Sequence, residues 1–319
     1  MLSQQPLVTI EPSNRFHAAD LLEVWHYRDL LVELMKRDIR LRYRQTALGV
    51  IWVVLQPLLG AIIFSVVGKA ARLPVGDVPM LAYSFASLLA WNLFQAILTK
   101  SGNCLVGNTQ LVSKIFFPRL ILPLSVVPGA LLDALIATAV FAVIAVILGV
   151  KATAMLVLFP LGMLGIMLLA IGAGILVSAL TVPYRDVQHI LPVMVQLLFW
   201  GSPVIVPASL YTGKLVWFML LNPMSGYLEL VRASLLGTPL PIGNNTSIAV
   251  AFTPRITAMI AKTTVAMRAS RRAPGTTDNG RISLGKKILL TSCVFPTRQF
   301  PLFVRIAWKR FHARRLAKE

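Results

Sequence analysis

Long apolar stretches separated by short polar segments dominate the chain from about residue 48 to residue 205. The first four are long enough to cross a bilayer, because a membrane-spanning helix needs about 20 apolar residues. A fifth stretch is broken by Gly201-Ser202-Pro203. We therefore predict an all-α integral membrane protein with about five clear transmembrane helices. The predicted spans are about Leu48–Val67, about Met80–Leu98, one within Leu120–Val150, one within Ala152–Leu180, and about Ile190–Ile205.

Two irregularities are predicted within these spans. Gln56-Pro57 is expected to interrupt the first. The third apolar stretch would be about 45 Å long as a single helix, whereas the hydrocarbon core is about 30 Å thick. Pro123 and Pro128 are therefore expected to mark a kinked or interfacial beginning.

Residues 20–45, directly before the first span, are predicted to form an amphipathic helix. Its basic residues are too closely spaced to enter hydrocarbon, so the helix must stay at a membrane face. Two interpretations stay open: the helix lies on anionic headgroups, or it also holds a cytoplasmic partner. The apolar side carries Val32, Met35, Ile39 and Tyr43, the other side carries Glu33, Arg37, Arg40 and Arg44, and Lys36 and Arg42 add to the charge.

The positions of Lys and Arg predict the orientation in the membrane. With the N-terminus inside, the cytoplasmic segments of residues 1–240 hold 11 Lys or Arg residues, and the outer segments hold 5, among them Lys69 and Arg232. Cytoplasmic segments of membrane proteins carry the excess of positive charge. We therefore predict that the N-terminus lies in the cytoplasm.

The overall composition agrees with a membrane protein, but the end of the chain differs from the rest. Hydrophobic residues make up 56% and charged residues 13% of the 319 residues, and the charged fraction is about half that of a soluble protein. The net charge of +19 is uneven: residues 1–240 hold 16 Lys or Arg and 10 Asp or Glu, while residues 241–319 hold 15 and 2. We interpret residues 241–319 as an atypical basic tail, disordered or frameshifted. It carries no nucleic-acid-binding motif, and no nucleic-acid partner is expected.

Two predicted cytoplasmic loops offer surface rather than chemistry. The loop Gly102–Pro123 is large enough to dock a partner and too short for an energy-converting domain, although it could also be an ordinary interhelical loop. In the next loop, Arg185 and Asp186 stand side by side. They could pair with a partner, or Asp186 could cap the following helix, where the helix dipole favours an acidic side chain.

Inside the predicted spans, one acid and several aromatic residues are the functional candidates. Asp133 is an intramembrane carboxylate, which is a functional candidate by default. A proton-coupled carrier would need a chain of such groups, so we do not favour that role. Aromatic side chains could line a path for sugar rings or pack against lipid and other helices. The candidates are Trp52, Trp91, Phe94, Phe199 and Trp200.

The chain lacks the marks of an enzyme. Residues Gly280–Lys287 match a phosphate-binding loop except that Lys287 replaces the Ser or Thr whose hydroxyl would hold Mg²⁺. A membrane-bound glycosyl- or acyltransferase would need paired carboxylates or a large polar loop, whereas Asp77 and Glu229 are expected to stand alone. The two cysteines, Cys104 and Cys293, suggest neither a disulfide framework nor a metal site. We expect no cofactor, no metal and no catalytic residue on this chain.

Five sequence motifs follow one another in order between residues 20 and 240. They are Leu41–Leu58, Gly107–Val127, Tyr184–Val187, Ser202–Val206 and Asn222–Gly237. Together they resemble the permease subunits of ABC-2-type polysaccharide exporters, the family that exports O-antigen, capsular polysaccharide and teichoic acid.

The resemblance implies a six-span ABC-2-type bundle with an N-terminal interface helix. It implies a homodimer in the bacterial inner membrane that pairs with two copies of a separate ABC ATPase, which uses ATP and Mg²⁺ to move undecaprenyl-linked polysaccharide. Residues 1–45 would be the cytoplasmic segment, residues 46–240 the transmembrane domain and residues 241–319 the tail. The expected sixth span is missing as a clean apolar stretch, so we interpret it as degraded.

The resemblance also assigns roles to residues. Coupling to the ATPase would fall to Arg37, Arg40, Arg42, Arg44, Asn108, Lys114, Phe117, Pro118 and Arg119. A cytoplasmic gate would be formed by Tyr184, Arg185 and Asp186. The alternatives are an ABC-2 permease for another lipid or a drug, the membrane-bound transferase, and a non-transporting scaffold.

Overall fold

The structure is a computed structural model that describes residues 25–44, 49–114, 117–151, 153–184, 186–207, 210 and 222–238. For residues 42–44, 49, 50 and 223 the description covers the backbone alone. All of these residues belong to one structural unit, residues 13–267. The predicted basic tail, its phosphate-loop-like sequence, Cys293 and Arg185 lie outside the described residues.

In the described residues, the regular secondary structure is helical throughout. The helices are α1 (Arg28–Arg44), α2 (Gly49–Ala70), α3 (Met80–Gly107), α4 (Thr109–Lys114), α5 (Ile121–Ser125), α6 (Val127–Ile147), a 3₁₀ helix (Ala154–Leu158), α7 (Phe159–Thr181), α8 (Val187–Gly201) and α9 (Pro223–Leu236).

Four of the predicted spans are confirmed as helices long and apolar enough to cross a membrane. They are Ile51–Ala70, Met80–Gly107, Ile121–Ile147 and Ala154–Thr181. The fifth, α8, is a shorter apolar helix of 15 residues, and it ends at Gly201, where the sequence predicted a break. The predicted irregular beginning of the third span is also confirmed, because Val126 separates the short α5 from α6.

Two predictions about helix boundaries were wrong. Pro57 lies inside one continuous helix, α2, instead of interrupting it. It is buried, and packing against neighbouring helices allows a membrane helix to tolerate the lost hydrogen bond. Helix α3 continues to Gly107, nine residues past Leu98, although this last part is polar. Its Ser101 and Gly102 are buried, so packing rather than hydropathy sustains the helix there.

Helix α3 is the centre of the bundle. It packs against α2, α5, α6, α7, α8 and α9. In an apolar segment of 18 residues, 78% of α3 is buried, whereas the corresponding share in the other three spans is 22–28%. The pairing with α7 is the most extensive, because α7 presents small residues to its neighbours. A Cβ added at Gly174 would lie 2.6 Å from Cβ of Ser101 in α3, and one added at Gly165 would overlap the ring of Tyr227 in α9.

The amphipathic helix is confirmed as α1, which packs against α5, α2 and α6. Its buried side differs from the predicted one by a small rotation. Leu34 is 5% exposed, and Leu31 and Met35 are partly buried, whereas Val32 is 42% exposed. The polar side with Lys36, Arg37 and Arg40 remains exposed, as the sequence indicated.

Candidate functional sites

Helix α1 is joined to the end of α3 by Arg37 and Asn108, two of the predicted coupling residues. Nη2 of Arg37 donates a hydrogen bond of 2.9 Å to Oδ1 of Asn108. The same amide donates through Nδ2 to the carbonyl of Cys104 at 2.9 Å, and its backbone carbonyl accepts from Leu111 and Val112 at 3.0 Å. Asn108 therefore forms the joint between α3 and α4 and holds α1 against that joint.

The other charged residues of α1 interact mainly with each other. Oε1 of Glu33 accepts a hydrogen bond of 2.9 Å from Nζ of Lys36, and Oε2 lies 3.7 Å from Nη2 of Arg40. The hydrogen bond and charge of Lys36, followed by the charge of Arg40, lower the pKa of Glu33. Such exposed pairs contribute little to stability. The side chains of Arg42 and Arg44 are outside the description.

The predicted docking loop contains an exposed part and a buried part. Lys114 is exposed at the end of α4, whereas Phe117 is 2% exposed and Pro118 is buried. Arg119 is half-buried, and this burial lowers the pKa of its guanidinium. An arginine nevertheless stays charged at neutral pH. Phe117 and Pro118 thus fix the loop to the bundle, and Lys114 presents its side chain outward.

Two of the predicted gate residues, Tyr184 and Asp186, lie directly before α8. Tyr184 is 39% exposed and Asp186 is exposed. Asp186 occupies the N-cap position, but its carboxylate makes no capping hydrogen bond. Its backbone carbonyl accepts from the amides of His189 and Ile190 at 3.0 Å each. Of the two interpretations from the sequence, capping is supported by the position of Asp186 at the helix N-terminus, but not by a hydrogen bond to its side chain.

Four of the five predicted aromatic residues form one cluster, together with Phe64 of α2. Ring centroids are 5.2 Å apart for Trp91 and Phe199, 5.6 Å for Trp91 and Phe94, 5.5 Å for Phe199 and Trp200, and 5.8 Å for Phe64 and Phe199. Nε1 of Trp91 also donates to Oε1 of Gln95 at 2.7 Å. The sequence analysis missed Phe64, because nothing in the sequence indicated that α2 and α8 bring their aromatic residues together.

The predicted lining residues differ in exposure, so that some belong to the core and others to the surface. Trp91 and Phe94 are 2% and 3% exposed, so within a single chain they belong to the core. Trp200 is 62% exposed, and Trp52 is 55% exposed on α2. In the described part of the chain, no ring contact joins Trp52 to the cluster.

A buried polar network around Arg232 was not predicted from the sequence. Arg232 was assigned to an outer segment, and Glu229 was expected to stand alone, but the structure pairs them through Nη1 and Oε1 at 2.8 Å. Arg232 is 2% exposed and Glu229 7% exposed. The i, i+3 spacing of a basic and an acidic residue was the signal that could have indicated this pair.

The described chain is thus a multi-pass α-helical membrane protein with a basic amphipathic helix before its first span. Comparison with known families shows that residues 29–236 match the ABC-2 type transporter family. The chain belongs to this family, and the match spans α1 to α9.

Individual relatives agree with this assignment. The chain is 28% identical over 205 residues to the O-antigen export system permease protein RfbA of Myxococcus xanthus, covering 63% of this chain and 78% of the relative. It is 28% identical over 199 residues to RfbA of Klebsiella pneumoniae, covering 62% and 76%. It is 23% identical over 210 residues to the polysialic acid transport protein KpsM of Escherichia coli, covering 64% and 80%.

Proposed function

We propose that this chain is the membrane permease subunit of an ATP-driven exporter that moves lipid-linked polysaccharide across the bacterial inner membrane. The observation that carries the proposal is the family match over residues 29–236, which extends from the basic interface helix to the last described helix. The relatives named as O-antigen permeases and as a polysialic acid transport protein support a polysaccharide as cargo.

We assign ATP hydrolysis to a separate ABC ATPase, which uses ATP and Mg²⁺. Two copies of this ATPase would pair with a dimer of the permease. The polar side of α1 and the exposed Lys114 form the surface proposed to bind it, on the cytoplasmic side with the N-terminus. The hydrogen bond between Arg37 and Asn108 supports this assignment, because it links that surface directly to the central helix α3.

The cargo path is placed between two copies of the chain. The exposed aromatic residues Trp52 and Trp200 lie on α2 and α8, whose outward surfaces are apolar. Exposed apolar patches of this kind mark contacts with lipid or protein. A second copy facing α2 and α8 would enclose these rings, and the flat aromatic faces suit sugar rings.

Co-purification of the tagged, detergent-solubilised chain with mass spectrometry of its partners tests the proposed assembly. A stoichiometric ABC ATPase is the expected result, whereas a folded chain without any ATPase would contradict the assembly. The cargo is tested separately, by deleting the gene and measuring surface polysaccharide. Intracellular accumulation of lipid-linked polysaccharide supports the proposal, and unchanged surface polysaccharide points to another lipid or a drug.

A further inference from the structure

Helix α8 ends before it can cross a bilayer. Its 15 residues span about 22 Å at 1.5 Å per residue, whereas the hydrocarbon core is about 30 Å thick. The chain then turns at Ser202, Pro203 and Val204, which are all buried. Non-helical backbone at this depth is tolerated only where protein supplies its hydrogen-bond partners.

Arg232 of α9 supplies such a partner and joins three segments at once. Its Nη2 donates to the carbonyl of Pro203 after α8. Its Nε donates to Oγ of Ser87 at 3.1 Å, and its Nη1 donates to the hydroxyl of Tyr83, both in α3. Its guanidinium carbon also lies 4.2 Å from the centroid of the Tyr83 ring. The charge is balanced within α9 by Glu229, and the Arg232 side chain is 3% exposed.

A second contact ties the end of α8 to the beginning of α9. Nδ2 of Asn222 donates to Oγ of Ser202 at 2.6 Å, and that hydroxyl donates to the carbonyl of Leu198 at 2.6 Å. Oδ1 of Asn222 accepts from the amide of Met224 at 3.1 Å and so caps α9. The Gly201 end of α8 is therefore held by buried charge-assisted and neutral hydrogen bonds.

In the described residues, the opposite end of α8 is held by fewer hydrogen bonds to its neighbours. Between Val187 and Pro192, Leu191 is the buried residue, and the carboxylate of Asp186 makes no cap. Pro192 lies inside the helix, where the missing N–H makes bending easier. The two ends of one helix thus differ in attachment, with a proline between them.

We propose that Arg232 is a positioning residue that fixes the Gly201 end of α8 to α3 and α9, so that movement of α8 during transport is confined to the Val187 side of Pro192. The inference rests on the proposed function in that the chain is taken to transport. It assigns a role to a residue outside the surface proposed to bind the ATPase and outside the aromatic cluster.

Distances between pairs of spin labels on the full chain test this assignment. One pair, Val67→Cys and Leu197→Cys, reports on the Gly201 end of α8, and another, Gly107→Cys and His189→Cys, reports on the Val187 end. All four positions are exposed, and a Cβ at Gly107 meets no atom within 4 Å. Cys104 and Cys293 are replaced by Ser, and labelled protein is diluted with unlabelled protein to suppress distances between copies.

Arg232→Met is expected to broaden the distance distribution at the Gly201 end and shift it to longer values. The matched control, Lys69→Met, removes an exposed positive charge near the same end of the bundle and is expected to leave that distribution unchanged. Arg232→Lys is expected to give an intermediate result, because an ammonium keeps the charge without the fork of donors. An unchanged distribution in a folded Arg232→Met variant would overturn the proposal.

A second set of variants decides the question if Arg232→Met does not fold. Ser87→Ala with Tyr83→Phe removes the two hydroxyls on α3 and leaves the pair of Arg232 and Glu229 intact. Broadening at the Gly201 end supports the proposal, and an unchanged distribution in this double variant rejects the attachment to α3, because the hydrogen bond from Arg232 to the carbonyl of Pro203 remains.

Adding ATP to the labelled chain that keeps Arg232, co-purified with its ATPase, tests whether movement of α8 is confined to the Val187 end. A shift at the Val187 end with a constant distance at the Gly201 end is expected. A larger shift at the Gly201 end would overturn the proposal. The label distances in the isolated chain do not depend on transport. If surface polysaccharide does not change when the gene is deleted, the proposed function is contradicted. The attachment of α8 by Arg232 is not affected by that result.

Discussion

Nη2 of Arg37 and Oδ1 of Asn108 are 2.9 Å apart, although 71 positions separate the two residues in the sequence. The bond connects the exposed basic helix α1 to the place where the central helix α3 ends and α4 begins. A force applied to α1 or α4 by a partner therefore reaches α3 through a direct side-chain contact as well as through the chain.

Arg37→Ala and Asn108→Ala are expected to reduce ATP-dependent export, and Arg37→Ala is expected to change stability little. A hydrogen bond contributes about 0.5–1.5 kcal/mol net, and the bond between Arg37 and Asn108 is exposed, so its contribution lies at the low end. Asn108→Ala also removes the partly buried hydrogen bond to the carbonyl of Cys104, so its loss of stability is expected to be larger. The measurement is surface polysaccharide at matched membrane levels, together with thermal unfolding in detergent. In the double variant the loss of export is expected to equal that of either single variant.

Arg28→Ala is the matched control for this cycle, because it removes an exposed arginine from the same helix. Arg28 lies 3.8 Å from the neighbouring Asp29, not near Asn108. If the losses of export in Arg37→Ala and Asn108→Ala add fully in the double variant, the hydrogen bond between the two residues does not contribute to export.

Lys114→Glu is expected to weaken binding of the ATPase without destabilising the permease. Lys114 is exposed at the end of α4, and reversing a charge at an interface edge changes association more than folding. The amount of ATPase that co-purifies with the tagged chain measures the effect, with Lys69→Glu at the opposite end of the bundle as control. Equal losses in both variants would remove Lys114 from the docking surface.

Gly165→Ala is expected to destabilise the bundle by about 1–3 kcal/mol, as is usual for overpacking a filled core. The added methyl group would overlap the Tyr227 ring, which packs against α7 at this position. Unfolding in detergent measures the change. Gly107→Ala is the control, because a Cβ there meets open space, and the smaller Tyr227→Leu is expected to restore part of the loss.

Much of the bundle could be predicted from the sequence because hydropathy is a local property. The spans at Met80, Ile121 and Ala154 begin within two residues of their predicted limits. Boundaries set by packing were missed, as at Gly107, where α3 continues through polar residues that its neighbours bury. The prediction for Pro57 was wrong for the same reason, because whether a helix tolerates an internal proline depends on the surrounding helices.

The candidate sites were predictable to different extents. The basic and exposed character of Arg37, Arg40 and Lys114 follows from the sequence, and their roles remain proposals. The i, i+3 spacing could have indicated the pair of Arg232 and Glu229. The hydrogen bonds of Arg232 to Ser87 and Tyr83 could not be predicted, because these residues lie 145 and 149 positions away. Phe117 is a third case, because its position in the predicted docking loop gave no indication that its side chain is buried.

The two tryptophans that contact Phe199, Trp91 and Trp200, are expected to differ in their effect on stability. Trp91→Ala is expected to destabilise the chain by about 3–5 kcal/mol, as for other large-to-small changes of buried aromatic residues, because its side chain is 2% exposed and hydrogen-bonded to Gln95. Trp200→Ala is expected to leave stability nearly unchanged, because that residue is 62% exposed in the single chain. Thermal unfolding of the purified variants checks both values.

Trp200 is expected to affect export although it contributes little to stability. Trp200→Ala is expected to lower surface polysaccharide at normal membrane levels, since its ring would lie on the cargo path between two copies, and Trp200→Phe is expected to restore most of it by returning a flat face. Leu161→Ala is the control, because Leu161 is similarly exposed, at 59%, on α7. Normal export by Trp200→Ala would place this ring against lipid and remove α8 from the proposed path.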